Sequence, residues 1–309
     1  MKEIGGYIEL DTYTGKMLYE DGIKLNCGRN ALAYLIKAKN IKKLYMPKFM
    51  CDSNDKVLFD NGVKIIYYDI GLDFKPIIKS WDGWLYVVNY YGQLSNDYLK
   101  MLGKNIIIDN AQAYFQKPIN GVDTLYTCRK FFGVADGAIL YTDKKMEIKD
   151  RDESFSRMNF LLGRFERSAG EFYEEYVENN HLFRNEPIKK MSKLTENLLC
   201  AIDYDMVKKR RTENFTYLHY KLKEINKLNL KVPEGAFMYP LYVQNGNKIR
   251  QILQRKKIFI PTLWPAVFNK CESTENEYLM AENILPLPVD QRYSEKEMEY
   301  MVNEIKILI

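Results

Sequence analysis

Short β-rich runs alternate with helical patterns through the first half of this 309-residue chain. The helical patterns lie at 30–38, 54–60 and 95–102. The strand candidates are 44–46, 64–69, 84–89, 105–109, 123–127 and 137–142. Several are apolar nearly throughout, as expected of strands that helices cover on both faces. The alternation therefore predicts an α/β fold, a three-layer α/β/α domain around a mostly parallel sheet.

The second half of the chain changes character. Residues 150–180 are rich in Arg, Glu, Phe and Tyr and favour helix, and a long helical pattern follows over 189–228. Short strands are expected at 237–243 and 258–260, and a closing amphipathic helix at 294–309 begins with a Ser-x-x-Glu capping box. We expect a large domain over 1–205 and a smaller C-terminal α+β domain over 206–309, since a chain of this length is more often two domains than one.

Charge and cysteine content exclude several classes of protein. The chain has 46 basic and 41 acidic residues, a net charge of +5, with no strongly basic segment, so a nucleic-acid binder is not indicated. Its densest basic run, 208–211, is expected to be a solvated helix face. The five cysteines form no C-x-x-C pair, which favours a reducing cytosol over a disulfide framework or zinc site. No stretch has the composition of a signal peptide or membrane span, so a soluble cytoplasmic protein is expected. With two histidines, a histidine-rich metal site is not expected.

A lysine and an aspartate each follow a strand-like run. Lys130 lies just past 124–127 and before an Asp-Gly step, while Asp109 ends the apolar run 106–108. At the carboxyl ends of two strands in an open α/β sheet, both side chains could face one crevice. A pyridoxal phosphate enzyme needs this pairing, because the lysine forms an imine with the cofactor and the carboxylate keeps the pyridine nitrogen protonated.

A glycine opens the first helical pattern. Gly28 would let backbone approach a ligand closely, and the free N–H groups of the helix start favour an anion such as phosphate. Each of these features also has an ordinary structural interpretation. Many loops open a helix with glycine, an aspartate at a strand end is a common helix N-cap, and a lysine such as Lys130 is usually a surface residue.

The order of these features resembles the DegT-type nucleotide-sugar aminotransferases, pyridoxal phosphate enzymes of the aspartate-aminotransferase fold (fold type I). Gly-x-Asn stands at 28–30, Asp-x-x-Gln at 109–112, and Lys130 precedes the Asp-Gly step at 136–137. Further segments agree in order, among them 46–47, 89–93 and 285–293. The resemblance extends over nearly the whole chain.

The resemblance assigns roles to residues of this chain. Lys130 would form the imine, Asp109 would partner the pyridine nitrogen, and Gln112 would contact the phenolic oxygen or the ring face. Donors to the cofactor phosphate would come from Gly28, Arg29, Asn30 and Thr127.

This chain departs from the family pattern at two positions. Leu125 stands where the family usually carries a serine, so Thr127 is the candidate for the phosphate hydroxyl. Cys51 stands where an aromatic ring commonly stacks on the cofactor, which leaves Phe49 and Tyr90 as candidates for that role.

The same resemblance implies that the protein transfers an amino group to a nucleotide-linked keto-sugar. This reaction would belong to the biosynthesis of polysaccharides or cell-surface sugars. Glutamate would be the amino-acid donor. A homodimer is expected, and residues 184–185 lie in a region from which one subunit could lend residues to the active site of the other. A sugar dehydratase with the same fold and cofactor, and a cofactor-free relative acting as a binding protein, are the alternatives. Trp81, Trp84 and Trp264 could line a sugar site or simply pack in the core.

Overall fold

An eight-stranded sheet forms the centre of the fold. The structure, a computed structural model, describes residues 4–309. The strands are β1 (Ile23–Leu25), β2 (Lys43–Pro47), β3 (Lys64–Ile70), β4 (Pro76–Ile77), β5 (Trp84–Val88), β6 (Ile106–Asp109), β7 (Asp123–Thr127) and β8 (Ala138–Tyr141). Their spatial order is β1-β8-β7-β6-β5-β2-β3-β4.

Five neighbouring strands of this sheet, β3, β2, β5, β6 and β7, run parallel. β8 and β4 pair antiparallel with the two edge strands of this set, β7 and β3, and β1 pairs antiparallel with β8. Val88, Asp109 and Leu125 are paired across β5, β6 and β7, so these strands present their carboxyl ends at one edge of the sheet. The mostly parallel sheet predicted from the sequence is confirmed.

Helices flank the sheet and build most of the second half of the chain. They are α1 (Gly28–Ala38), α2 (Asp55–Asp60), α3 (Asn96–Met101), α4 (Asn159–Glu166), α5 (Tyr173–Leu182), α6 (Lys193–Cys200), α7 (Tyr204–Leu222), α8 (Gly246–Arg255), α9 (Val267–Lys270), α10 (Asn276–Asn283) and α11 (Glu295–Lys306). The predicted capping box of the last helix is confirmed, because Ser294 and Glu297 satisfy each other's backbone N–H groups. No helix within residues 4–309 combines the length and apolar character that crossing a membrane requires.

A second, two-stranded antiparallel sheet lies in the C-terminal part of the chain. β9 (Met238–Tyr242) pairs with β10 (Ile284–Pro288), and α7 packs against both β9 and α11. The predicted strand at 258–260 was wrong: these residues are irregular chain, although Ile258 and Ile260 are buried. A short apolar run satisfies the core without forming a strand when no partner strand is beside it. The domain boundary near residue 205 stays a prediction.

The long helical pattern over 189–228 is two helices. The side chain of Asp203 caps α7 by accepting a hydrogen bond from the Met206 N–H, so the chain restarts there instead of continuing from α6. The prediction that 208–211 is a solvated face was wrong for Arg211, which is 2% exposed. The helical period places Arg211 on the buried face with Val207, Phe215 and Leu218.

Candidate functional site

Asp109 lies buried at the carboxyl end of β6. Its Oδ2 atom accepts a hydrogen bond of 2.8 Å from the Tyr86 hydroxyl, and its Oδ1 atom accepts one of 2.8 Å from the Ala111 N–H. Burial raises the pKa of Asp109 above its ordinary value of 3.8, while the Lys130 charge and both hydrogen bonds act in the opposite direction. Asp109 is thus a carboxyl group held in a fixed orientation with a cation nearby.

Lys130 follows β7, the neighbouring strand. It ends a three-residue 3-10 turn, Cys128–Lys130, and its exposed side chain places the ammonium 5.7 Å from the centre of the Phe237 ring. The structure therefore brings Lys130 and Asp109 to the same edge of the sheet, where the Lys130 charge acts on the Asp109 carboxyl.

The amino end of α1 lies against the end of β7. A methyl group added at Gly28 would lie 2.5 Å from the Thr127 Cγ2 atom, so no larger residue fits without movement. Cys27 precedes the helix in an extended conformation, and its side chain makes no capping hydrogen bond. The first N–H groups of an uncapped helix need acceptors, which the oxygens of an anion can supply.

Polar side-chain atoms with no partner surround this helix start. Arg29 Nε, Arg29 Nη1 and Thr127 Oγ1 are buried and make no hydrogen bond to any residue within 4–309. Leaving such atoms unsatisfied costs about 1–3 kcal/mol each. Together with the N–H groups of α1, they are the donor set that an anion with several oxygens requires.

A second arginine adds positive charge at the same place. Burial raises the pKa of the Cys27 thiol to about 11, whereas the Arg29 and Arg129 charges both act to lower it. Arg129 itself donates a hydrogen bond to Asn180 and lies 4.8 Å from the centre of the Phe183 ring. Two guanidinium groups thus make the start of α1 electropositive.

Asn30 is tied to the chain that precedes α6. Its amide nitrogen donates to Asn26 Oδ1 at 3.0 Å and to the carbonyl oxygens of Glu186 at 3.1 Å and Pro187 at 2.7 Å. Because these acceptors occupy the side-chain amide, Asn30 has only its backbone N–H to offer an anion.

Gln112 is buried and fixes the turn that follows β5. Its Oε1 atom accepts a 2.9 Å hydrogen bond from the N–H of Tyr91, whose φ of 53° is in the left-handed region. Gln112 therefore joins the segments that follow β5 and β6, next to Asp109.

The two aromatic candidates for ring stacking are enclosed in the core. The Phe49 ring lies 5.4 Å from that of Tyr90 and 4.8 Å from that of Trp264, and all three side chains are buried. Cys51, in contrast, is half-buried and near enough to Tyr86 to influence its pKa, which burial raises well above the ordinary range. Both Tyr90 and Cys51 lie near Asp109, because burial raises the pKa of Tyr90 and the charges of Asp109 and Cys51 act in the same direction, whereas Trp264 packs in the core.

Sequence reasoning missed Tyr86. Its position in a continuous apolar strand predicts a core residue. The sequence feature that could have indicated a role in the site was its position on the strand adjacent to that of Asp109. The unsatisfied Arg29 side chain also became visible only in three dimensions.

The similarity of this chain to known proteins is found in solved structures and not in sequence comparisons. No protein-family model and no curated protein matches the sequence. The chain is similar to the DegT DnrJ EryC1 StrS aminotransferase from Brucella abortus, with 14% identity and a TM-score of 0.61 over 93% of this chain and 85% of that one. It is similar to the sugar aminotransferase CalS13 from Micromonospora echinospora, with 14% identity and a TM-score of 0.61 over 92% and 86%.

A third similar structure is NtdA from Bacillus subtilis with bound cofactor PMP. The identity is 13% and the TM-score 0.64, over 91% of this chain and 72% of that one. Likeness at this level of identity establishes the fold, and the resemblance inferred from the sequence is confirmed at that level.

Proposed function

We propose that this protein is a pyridoxal phosphate-dependent aminotransferase acting on a keto-sugar. The observation that carries the proposal is the position of Lys130 and Asp109 at the ends of adjacent strands, beside an electropositive helix start with unsatisfied donors. The names of the similar structures, a sugar aminotransferase and a protein with bound PMP, support the same class.

The residues present fit pyridoxal phosphate. Arg29, Thr127 and the N–H groups of Gly28, Arg29 and Asn30 would hold its phosphate, because the unsatisfied donors of this region need an anion. Asp109 would hold the pyridine nitrogen by its carboxylate. Gln112, whose Oε1 atom is already bound to the Tyr91 N–H, would meet the phenolic oxygen or the ring face.

When bound, the cofactor supplies a ring that accepts the electrons released as a proton leaves the amine-bearing carbon. Lys130 would hold the cofactor by condensing its Nζ atom with the cofactor's aldehyde group, with release of one water molecule. After the amino donor has taken its place, the freed amine would carry that proton between the two reacting carbons. The Asp109 carboxylate would keep the ring nitrogen protonated. At about 4 Å and an effective dielectric of about 20, such an ion pair contributes about 4 kcal/mol.

Lys130→Ala tests this assignment. Wild-type protein incubated with pyridoxal phosphate should show a visible absorbance band that glutamate shifts, and Lys130→Ala should lose both band and transamination. Lys37→Ala, on the far turn of α1, is the matched control and should retain both. A Lys130→Ala protein that keeps the band and the activity would overturn the assignment.

The substrate proposal is a nucleotide-linked keto-sugar, with glutamate as the amino donor, in polysaccharide or cell-surface sugar biosynthesis. Product analysis with and without glutamate separates amino transfer from the alternative, dehydration of a sugar by the same cofactor. Wild-type protein that stays colourless with pyridoxal phosphate would favour the cofactor-free binding protein. Against that alternative stand the unsatisfied donors of Arg29 and Thr127.

We also propose that the protein is a cytoplasmic homodimer. Its five cysteines are free, which suits a reducing compartment. Two exposed apolar side chains lie three positions apart on α4, where they are neighbours on the helix surface, and neighbouring exposed apolar side chains mark a surface that another protein covers. They are Leu162 and Phe165, which are 59% and 92% exposed.

A further inference from the structure

The carbonyl oxygen of Phe131, the residue directly after Lys130, accepts two hydrogen bonds from distant parts of the chain. Arg211 Nη2 on α7 donates at 3.2 Å, and Gln291 Nε2, before α11, donates at 2.9 Å. Arg211 Nε also donates to Gln291 Oε1 at 2.8 Å, which closes a three-membered network. The backbone beside Lys130 is thus held by two side chains that are held by each other.

Arg211 also fixes the other neighbour of the Lys130 ammonium. Its Nη1 atom donates to the carbonyl oxygens of Ala236 at 3.0 Å and Phe237 at 3.4 Å. The Phe237 ring is the one that lies 5.7 Å from Lys130 Nζ. One guanidinium therefore sets both the backbone next to the lysine and the ring beside its amine.

The burial of Arg211 is costly and needs an explanation. Its hydrogen-bond acceptors are carbonyl and amide oxygens, not a carboxylate, and its guanidinium lies 4.5 Å from the centre of the Phe131 ring. Burial lowers the pKa of Arg211 to about 10, so it stays charged at neutral pH. Burying a charge is costly unless it is hydrogen-bonded, and the hydrogen bonds of Arg211 reach Phe131, Phe237 and Gln291, close to Lys130.

The rest of the loop after Lys130 is anchored elsewhere. Ala135 O accepts a 2.9 Å hydrogen bond from Asn179, and the Asp136 carboxylate accepts hydrogen bonds from Ser192 N and Oγ, each at 2.7 Å. These contacts fix the far end of the loop. The network of Arg211 and Gln291 holds the end that adjoins the lysine.

We propose that Arg211 and Gln291 are positioning residues that hold Lys130 in the orientation in which its amine reaches the cofactor. This inference rests on the proposed function, since it assigns Lys130 the cofactor-binding role. Displacement of a reacting group by about 1 Å can cost about a hundredfold in rate. The network should therefore act on the rate at which Lys130 reacts, and hardly on how tightly the phosphate is held.

The test is trapping of pyridoxal phosphate on Lys130 by borohydride, followed by mass spectrometry, across a range of cofactor concentrations. In Arg211→Met and Gln291→Ala, the modification rate at saturating cofactor should fall about tenfold or more, with the half-saturating concentration within about twofold of wild type. Arg250→Met is the matched control, because Arg250 is also buried, 6% exposed, and donates to the Ile284 carbonyl away from Lys130. All rates are measured below the unfolding midpoint of every variant.

Modification of Arg211→Met and Gln291→Ala at the Arg250→Met rate would overturn the inference and leave the proposed function intact. Wild-type protein that is not modified at Lys130 would overturn both. Gln291→Ala retains the buried charge, so it carries the test alone if Arg211→Met does not fold.

Discussion

The Tyr86 hydroxyl on β5 donates a 2.8 Å hydrogen bond to the Asp109 Oδ2 atom on β6, and both side chains are buried. A phenol bonded to a carboxylate stabilises the ionised form of the acid. The Asp109 carboxylate thus accepts two hydrogen bonds from groups within the fold, the Tyr86 hydroxyl and the Ala111 N–H. The carboxylate is held ready for a cationic partner before any ligand arrives.

Removal of this phenol should weaken cofactor binding. Tyr86→Phe leaves the ring and takes the donor, so the Asp109 pKa should rise further and affinity for pyridoxal phosphate should fall about tenfold, about 1.4 kcal/mol. Absorbance titration of cofactor-free protein measures this. Tyr19→Phe loses a buried hydroxyl that donates to the Tyr114 carbonyl and serves as the control. Equal affinities in the two variants would show that Tyr86 does not act on the site.

The Arg29 side chain should recognise the phosphate specifically. Arg29→Met should weaken pyridoxal phosphate binding about tenfold or more, because a charge-assisted hydrogen bond contributes roughly twice a neutral one. Binding of pyridoxal, which lacks the phosphate, should change little. Lys37→Met, at the last turn of α1, should change neither affinity. A parallel loss of both ligands in Arg29→Met would assign Arg29 a structural role instead.

Gly28 and Thr127 should be coupled. Gly28→Ala puts a methyl group 2.5 Å from Thr127 Cγ2, so both the unfolding midpoint and cofactor affinity should fall. Thr127→Ser removes that methyl group and keeps the hydroxyl. The double variant should therefore recover most of the lost stability and affinity. Additive losses in the double variant would mean that the two residues do not meet.

Asp109 should make the stability of the cofactor-free protein depend on pH. Because burial raises its folded pKa above 3.8, the folded protein binds the proton more tightly than the unfolded chain. The contribution of Asp109 to the free energy of unfolding is fully present below about pH 4 and is lost as the pH rises through the pKa of the folded state. Asp109→Asn cannot titrate, so the stability of wild type relative to this variant should decline from pH 4 to pH 7. Urea denaturation measures the difference, and an increase with pH would contradict the assignment.

The exposed apolar side chains of α4, Leu162 and Phe165, should lie in the dimer interface. Phe165, 92% exposed, changed to Glu should give a monomer, because a charge in an apolar interface is costly. Met101→Glu, at an 83% exposed position on α3, is the control and should stay dimeric. Light scattering coupled to gel filtration reports the mass. A dimeric Phe165→Glu protein would place the interface elsewhere.

The sheet was predictable because its strands are locally distinctive. β7 spans the residues expected for it, Asp123–Thr127, and β6 differs from its prediction by one residue. The run at 258–260 is also rich in apolar residues that favour strands, but it lacks a partner strand, and pairing depends on the whole fold. The prediction that the basic run ending at Arg211 is solvated was wrong for a similar reason. Which face of α7 is buried depends on the elements that pack against it.

The sequence predicted the order of the site residues along the chain, but not the contacts between them. Lys130 and Asp109 follow strands, and sheet geometry alone brings the ends of adjacent strands together. Tyr86 and Asp109 are 23 positions apart, and Phe131 and Gln291 are 160 apart, so their hydrogen bonds leave no local pattern in the sequence.

The Asn30 amide has a consequence for how the protein folds. Its acceptors, the carbonyls of Glu186 and Pro187, lie 156 and 157 positions further along the chain, and the Met191 N–H donates to the Lys24 carbonyl nearby. Closing so long a loop costs entropy before any contact rewards it. During synthesis, α1 can form early, but its amino end acquires its final surroundings only after residue 191 has left the ribosome and docked. The binding competence of the protein should thus appear only after this long-range contact has formed.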